Sequence, residues 1–301
     1  MKKNVNKKPL VSIIMPVYNA GGFLVPAIES ILNQTFQDFE FIIVDDASTD
    51  SSWNIVRSYQ KKYSHKIRAI RLRKNRNNGG DACANEAFSV ARGEFIARMD
   101  ADDIAHPQRL AKQMEYMKSH PKTIVCGTQA HIINKEGFIT GEKLEPKTDK
   151  DIREKYFVYH PMIHPTVMIR KSLLPKRAFL YKICFNANND LLTFFELLNY
   201  GKFANMSEKL LYYRIHGHND SLINPKGRFL NTLRIRLFAW KSLGYRPTFS
   251  GVLMNIAQTM VVIAMPASVI TYMYMSWRGL GKSKTYVTGP YSLRMAPVLS
   301  S

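Results

Sequence analysis

Gly93-Glu94-Phe95-Ile96-Ala97-Arg98-Met99-Asp100-Ala101-Asp102-Asp103 is an apolar, strand-like run (Phe95, Ile96, Ala97, Met99) that ends in three carboxylates within four positions. Clustered anions repel one another and each is costly to desolvate, so the group is not expected in a packed core. Two arrangements tolerate it: a hydrated acidic turn ahead of the helix after Pro107, or a site that holds a cation. At the carboxyl end of a strand, Asp100 and Asp102 can turn their oxygens toward one point, and oxygen ligands suit Mg²⁺ or Mn²⁺. Such sites take one or two carboxylates and complete the shell with phosphate oxygens and water.

Upstream, Leu10–Met15, Phe39–Val44 and Ile67–Leu72 are further short apolar runs, the first two nearly continuous, as expected of parallel strands covered on both faces. Helical periodicity fills the intervals, with Phe23, Leu24, Ala27, Ile28, Ile31 and Leu32 after the first strand, then Trp53–Tyr63 and Ala82–Val90. Ser48 or Asp50 offers an N-cap to the second helix. Strand–helix alternation gives βαβ units, right-handed crossovers and a parallel sheet, whose ligands bind outside the carboxyl ends of the strands. Tyr18-Asn19, Asp45-Asp46 and Asp100–Asp103 then share one rim with the Asn78-Gly79-Gly80 loop. A nucleotide site with a divalent metal accounts for all of these. No Gly-X-Gly-X-X-Gly follows the first strand and no P-loop is present, so dinucleotide and NTPase readings lose support.

The chain has 301 residues, 46% hydrophobic and 11% aromatic, enough for a full core and too apolar for a disordered protein. A formal charge of +20 points to an anionic partner: phosphate ligands, nucleic acid or an acidic membrane surface. Three scattered cysteines, Cys83, Cys126 and Cys184, make neither a disulfide framework nor a zinc site. The basic start, residues 1–8, leads into the first strand and does not read as a secretory signal.

Val11-Ser12-Ile13-Ile14-Met15-Pro16-Val17-Tyr18-Asn19, Ser30-Ile31-Leu32-Asn33-Gln34-Thr35, Ile43-Val44-Asp45-Asp46-Ala47-Ser48-Thr49-Asp50 and Ala91–Asp103 together resemble family 2 glycosyltransferases, over roughly residues 9 to 220. The resemblance implies an α/β GT-A fold (Rossmann-like, of the nucleotide-diphospho-sugar transferases) and inverting transfer from a nucleotide-diphosphate sugar. It also implies that Pro16, Tyr18 and Asn19 line the nucleotide pocket, with Asp46, Asn78, Gly79 and Ala101 alongside. Asp45 reads the base edge, Asp100 lies near the ribose, and Asp102, with Asp100 beside it, takes the Mg²⁺ or Mn²⁺ that bridges the diphosphate. The family often has Ala-Arg-Asn where this chain has Cys83-Ala84-Asn85. Arg76 is one candidate to supply the missing arginine.

In the acceptor half, Arg109 either pairs with the aspartate cluster or decorates a helix surface. Thr123–Gly127 and Ala130–Ile133 look like two strands, and Asn134–Gly137 a hairpin turn. His160 and His164 are each followed by proline, which disfavours a helical zinc pair and leaves a structural or acceptor-site role. The family's Glu-Asp falls on Asn189-Asp190, and its arginine six residues later on Glu196. Asp190 is either a helix N-cap or the base that takes the acceptor hydroxyl's proton. Tyr212-Tyr213-Arg214-Ile215-His216-Gly217 matches the family's closing segment, with Arg214 and His216 steadying the diphosphate or, alternatively, a sheet-edge arginine and a core histidine.

After residue 223 a basic amphipathic helix precedes an uncharged apolar stretch, 252–275, interrupted by Pro266. Three readings compete: a transmembrane span, two half-helices hinged at Pro266 in the cytoplasmic leaflet, or a hairpin packed on the catalytic domain. The sequence thus reads as residues 1–8 basic tail, 9–223 catalytic domain (9–105 nucleotide half, 106–223 acceptor half), 224–284 membrane-associating helices and 285–301 loosely ordered tail. The expected protein is a metal-dependent inverting glycosyltransferase at the cytoplasmic face of the plasma membrane, extending a lipid-linked or polysaccharide acceptor, with an anionic membrane surface and no nucleic acid among its partners. A silent scaffold, kept open by Ala84, Asn189 and Glu196, and a basic nucleic-acid-binding protein are the rivals.

Overall fold

Val11–Val17 (β1) lies at the middle of the parallel half of the sheet, and every residue from Val11 to Met15 is fully buried. The computed structural model describes residues 8–76, 80–185, 188–216 and 224–277. Ile13 and Met15 point to one face of the sheet and Ile14 to the other, which is why the run shows no alternation. Ser12 is tolerated because its hydroxyl donates to Glu40 Oε1 at 2.7 Å and accepts from Gly93 N at 2.8 Å.

Phe39–Asp45 (β2), Ile67–Arg71 (β3) and Phe95–Arg98 (β4) complete a parallel set in the order β3-β2-β1-β4. Gly21–Leu32 (α1), Ser52–Lys62 (α2) and Asp81–Val90 (α3) make the crossovers. Val17 pairs with Asp45 and Ile14 with Arg98, so the carboxyl ends of β1, β2 and β4 share one rim, as expected. Asp50 Oδ1 accepts from Ser52 N at 2.9 Å, binding the first turn of α2, while Ser48 is used elsewhere.

Beyond β4 the sheet is mixed. Ile104–Ala105 (β5), Thr123–Ile133 (β6), Ile139–Lys143 (β7), Met168–Arg170 (β8) and Lys202–Arg214 (β9) continue it as β4-β8-β6-β9-β5, with β7 hairpinned on β6. The two strands expected over 123–133 are one. Thr128 and Gln129, which read as a break, are buried with their polar groups paired: Thr128 N donates to Thr166 Oγ1 at 3.0 Å, and Gln129 Nε2 donates to Glu145 O and Met206 O.

Helices cover both faces. On one, α1 and Arg109–Ser119 (α4) bury Leu24, Ile28, Leu110 and Met114. On the other, α3 and Asn189–Leu197 (α6) pack with Ala84, Ala87, Leu192 and Phe194, Asp149–Lys155 (α5) lying between these helices in sequence. Each of these large apolar side chains contributes about 2 kcal/mol by leaving water. The appendage is Pro225–Ser242 (α7), Phe249–Ala264 (α8) and Ala267–Trp277 (α9), the last two divided at Pro266. Among the described residues no helix is long and apolar enough to cross a membrane. Asn78, Gly79 and the tail from 278 onward lie outside the described residues.

Candidate active site

The nucleotide side of the rim is built from turns. Asn19 (φ 48°) and Ala47 (φ 58°) both adopt the left-handed region, Ala47 without glycine's freedom. The two turns are tied together: Asn19 N donates to Ser48 Oγ at 3.0 Å, and Asn19 Oδ1 accepts from Thr49 N at 2.9 Å. Tyr18 stands half-exposed above them, beside Pro16 at the end of β1. Asp46 closes the next loop, its Oδ1 accepting from Arg76 N and its carbonyl from Asn75 Nδ2. Asp45 is fully buried. Its Oδ2 accepts from Ser48 N and pairs with Arg71 Nε at 3.3 Å, while Oδ1 has no hydrogen-bond partner among the described residues. A buried acceptor of this kind suits an N–H of a nucleobase.

The three carboxylates after β4 separate into distinct environments. Asp103 corrects the expectation that such a cluster stays out of the core: it is 1% exposed, and Oδ1 accepts from Arg214 N at 2.8 Å. Burial, then the Asp102 and Asp100 charges, raise its pKa well above the ordinary carboxylate value. Asp100 and Asp102 remain partly open to solvent, with buried Ala101 between them. Asp102 Oδ2 stands 3.0 Å from His216 Nε2, and the His216 ring stacks on Phe23 at 4.9 Å. The 3.0 Å separation is a hydrogen bond between the imidazole and the carboxylate, which places an oxygen and a nitrogen donor of the kinds that bind divalent ions side by side on the rim. Among the described residues no three His, Cys, Asp or Glu groups converge on a metal position.

Arg214 is buried at the end of β9. Its Nε donates to Asp102 O at 2.7 Å and its Nη1 to Asn134 O and Lys135 O, so the guanidinium braces the acidic loop. Arg109 follows neither expectation: it is fully buried and donates through Nη2 to Arg98 O at 2.7 Å. Burial pulls its pKa down to about 10 against the opposing pull of Asp103 and Asp100.

The Arg76 side chain is half-exposed and faces Glu86 at 3.8 Å. Arg98 lies closer to the rim's acidic residues, with only 4% of its side chain exposed. A Cβ added to Gly80 (φ 83°) would lie 3.2 Å from Arg98 Nη2 and 3.0 Å from Pro16 Cβ, so glycine makes the room. Arg98 Nε donates to Asp100 Oδ1 at 3.0 Å, its Cζ lies 6.0 Å from the Tyr181 ring centre, and Nη1 is buried with no hydrogen-bond partner among the described residues. Burial opposes its charge, but Asp100, Tyr181 and Asp81 more than compensate and hold it protonated. An arginine inside an apolar strand, two residues before an Asp-X-Asp, was the available signal.

Tyr181 leads to the other half. Asn85 fastens its loop, accepting from Leu180 N and Tyr181 N and donating to Tyr181 O. The Tyr181 hydroxyl lies 2.8 Å from His164 Nε2, and His164 Nδ1 and His160 Nε2 lie 3.8 and 3.5 Å from Asp190 Oδ2. Burial pushes His164 down to about 3, so it is neutral. For Asp190, burial works upward, but His160, His164, the Leu191 N–H and Arg98 together lower its pKa, leaving it ionised. Asp190 is the second residue of α6; the N-cap is Asn188. The two histidines thus face the carboxylate.

The departures at 189 and 196 have physical roles. Asn189 accepts from Cys184 N and Phe185 N and donates to Phe185 O, a combination no carboxylate can make. Glu196 pairs with Arg177 Nη1 at 2.5 Å, so an ion pair stands there with the acid on the helix.

Residues 12–177 match the family described as glycosyl transferase family 2. An uncharacterized glycosyltransferase of Methanocaldococcus jannaschii is 35% identical over 238 residues, covering 78% of this chain and 81% of that protein. A poly(ribitol-phosphate) beta-glucosyltransferase of Bacillus spizizenii is 31% identical over 60% of this chain, a match that spans 28% of its own length. The structure of S. aureus TarS residues 1–349 in complex with UDP-GlcNAc is similar at a TM-score of 0.64 and 20% identity, over 83% of this chain and 70% of that one. The sheet is that of the GT-A glycosyltransferases, and the chain belongs to glycosyl transferase family 2.

Proposed function

We propose that the chain moves a sugar, with inversion, from a nucleotide-diphosphate sugar to a lipid-linked or cell-surface saccharide, using a divalent ion. The observation that carries this reading is one line of contacts, Asp100–Arg98–Tyr181–His164–Asp190, which joins the acidic strand end on the nucleotide side to an ionised carboxylate on the acceptor side. Asp102 and His216 would hold the ion, with Asp100 beside them; when bound, it offsets charge on the departing diphosphate. The unpartnered Asp45 Oδ1 accepts from the base edge, which suits uracil or thymine, and Arg98 Nη1 offers a buried donor to a phosphate or sugar oxygen.

Asp190 takes the proton of the acceptor hydroxyl as that oxygen forms its bond to the anomeric carbon. The bond to the diphosphate breaks on the opposite face, and its electron pair leaves with the nucleotide. A relative whose name describes a beta-glucosyltransferase of poly(ribitol-phosphate) supports an envelope polymer as acceptor class. The partners found for Asn189 and Glu196 give two of the three departures a structural role, which favours a working site over a silent scaffold.

The test is a thermal-shift screen of the full chain against UDP, dTDP, GDP and CDP sugars with and without Mn²⁺. A ligand that binds only the folded state raises Tm by mass action. Metal-dependent stabilisation by one nucleotide, lost in Asp102→Ala, is expected; no shift with any donor overturns the reading.

A further inference from the structure

Helix α8 is packed the wrong way round for water. The side it turns to the protein holds its polar residues beside the buried Gly251 and Val262: Asn255 Nδ2 donates to Phe157 O, Gln258 Nε2 donates to Val158 O at 3.2 Å, and Gln258 Oε1 accepts from Arg236 Nη1 at 3.3 Å. Arg236 Nη2 in turn donates to Val158 O at 2.6 Å. The side it turns outward is apolar: Phe249 is 79% exposed, Met260 60% and Ile263 71%, with Leu253, Met254 and Ile256 about half-exposed. Amphipathic helices bury their apolar stripe, so the solvent that this face is built for is not water.

The exposed face of α7 continues the surface and gives it a charge. Arg234, Leu237, Phe238 and Lys241 follow one another at helical spacing and are all exposed, as is Arg246 just before α8. From residue 224 to 301 the chain carries ten Lys and Arg and no Asp or Glu, which is half of its net charge of +20. A second copy docked here would bring two such charges together, and the remaining tail is basic as well, so neither neutralises it. An anionic lipid surface satisfies both the apolar and the electrostatic demand. With 16 residues, α8 extends about 24 Å, short of a hydrocarbon core of about 30 Å, and Pro266 interrupts the helix that would lengthen it.

We propose that α7, α8 and α9 form a monotopic docking surface for an anionic phospholipid bilayer, with the outward side of α8 inserted among the acyl chains and Arg234, Lys241 and Arg246 at the headgroups. This inference stands apart from the sugar-transfer reading and can fail without it.

The experiment is co-sedimentation of the full chain with phosphatidylcholine vesicles, with and without 30% phosphatidylglycerol, on the order of 0.1 M salt. Binding at least ten-fold stronger to the anionic vesicles is expected, weakened by added salt and reduced ten-fold or more in Met260→Asp/Ile263→Asp. Both positions are exposed, and light scattering with the donor-induced Tm shift reports whether that variant keeps its fold and donor site. No binding to either vesicle overturns the proposal. So does a dimer of the wild type in vesicle-free buffer that Met260→Asp/Ile263→Asp converts to monomer, which would make the face a self-interface. Equal binding of the double variant and the wild type would show that the apolar face is not the one used.

Discussion

Arg98 Nε stands 3.0 Å from Asp100 Oδ1, a pairing in which the guanidinium is 4% exposed and the carboxylate 31%. Removing the acid leaves a buried cation unpaired, whereas removing the cation leaves an anion that water can still reach. Asp100→Asn is expected to destabilise the fold by about 3 kcal/mol, and Arg98→Met, close in volume, by less. Denaturant melts distinguish the two. With donor titrations, Arg98→Met is expected to raise the donor Kd about ten-fold, because one charge-assisted hydrogen bond is lost.

Asp102 is partly exposed and makes its side-chain contact with His216, so its loss concerns chemistry more than folding. Asp102→Asn is expected to keep Tm within about 1 kcal/mol of stability while lowering transfer at least 100-fold. Chelation should do the same to the wild type and be reversed by Mn²⁺. Full transfer in the presence of chelator would remove the ion from the reading.

Asp190→Asn preserves shape and removes the proton acceptor. kcat is expected to fall between about 10² and 10⁴-fold with the donor Kd unchanged. An equal rise in donor Kd would assign Asp190 to binding instead.

His164 carries a pH dependence whose sign follows from burial. Its pKa falls from 6.5 in the unfolded chain to about 3 in the fold, so the unfolded state binds more protons between these values. Stability is therefore complete above pH 6.5 and declines as pH falls through that window, by at most about 1.4 kcal/mol per unit. The 18% of the side chain open to solvent narrows the window by lessening the shift. Urea midpoints from pH 7 to 4 measure it, and His164→Asn should flatten the curve.

Much of this was legible in the chain. Val11–Met15 and Phe39–Val44 read as doubly covered strands because no polar residue but Ser12 and Glu40 interrupts them, and these two bind each other. The common rim of Tyr18, Asp45 and Asp100–Asp103 followed from topology alone. What sequence could not give was which polar residue meets which. Arg98 and Gly80 are 18 positions apart and come close only because α3 crosses back over β2 and β1 on its way to β4. Thr128-Gln129 looked like a loop because its partners, Thr166, Glu145 and Met206, come from other elements. Asp103 read as part of an acidic cluster kept out of the core because burial is a property of the fold, not of the acid.

Asn188 has a consequence for how the protein is handled. Its Nδ2 donates to Thr232 Oγ1 at 2.8 Å and Arg228 O, both on α7, two residues ahead of Asp190. Ile235 and Ala239 of the same helix are fully buried in the core that includes Tyr156 and Phe195. Trimming the chain at residue 223 to improve its behaviour in solution would cut through a cooperative unit, stripping the first turn of α6 of its restraints. A truncated enzyme would be a different catalyst, and its kinetics would not describe the parent.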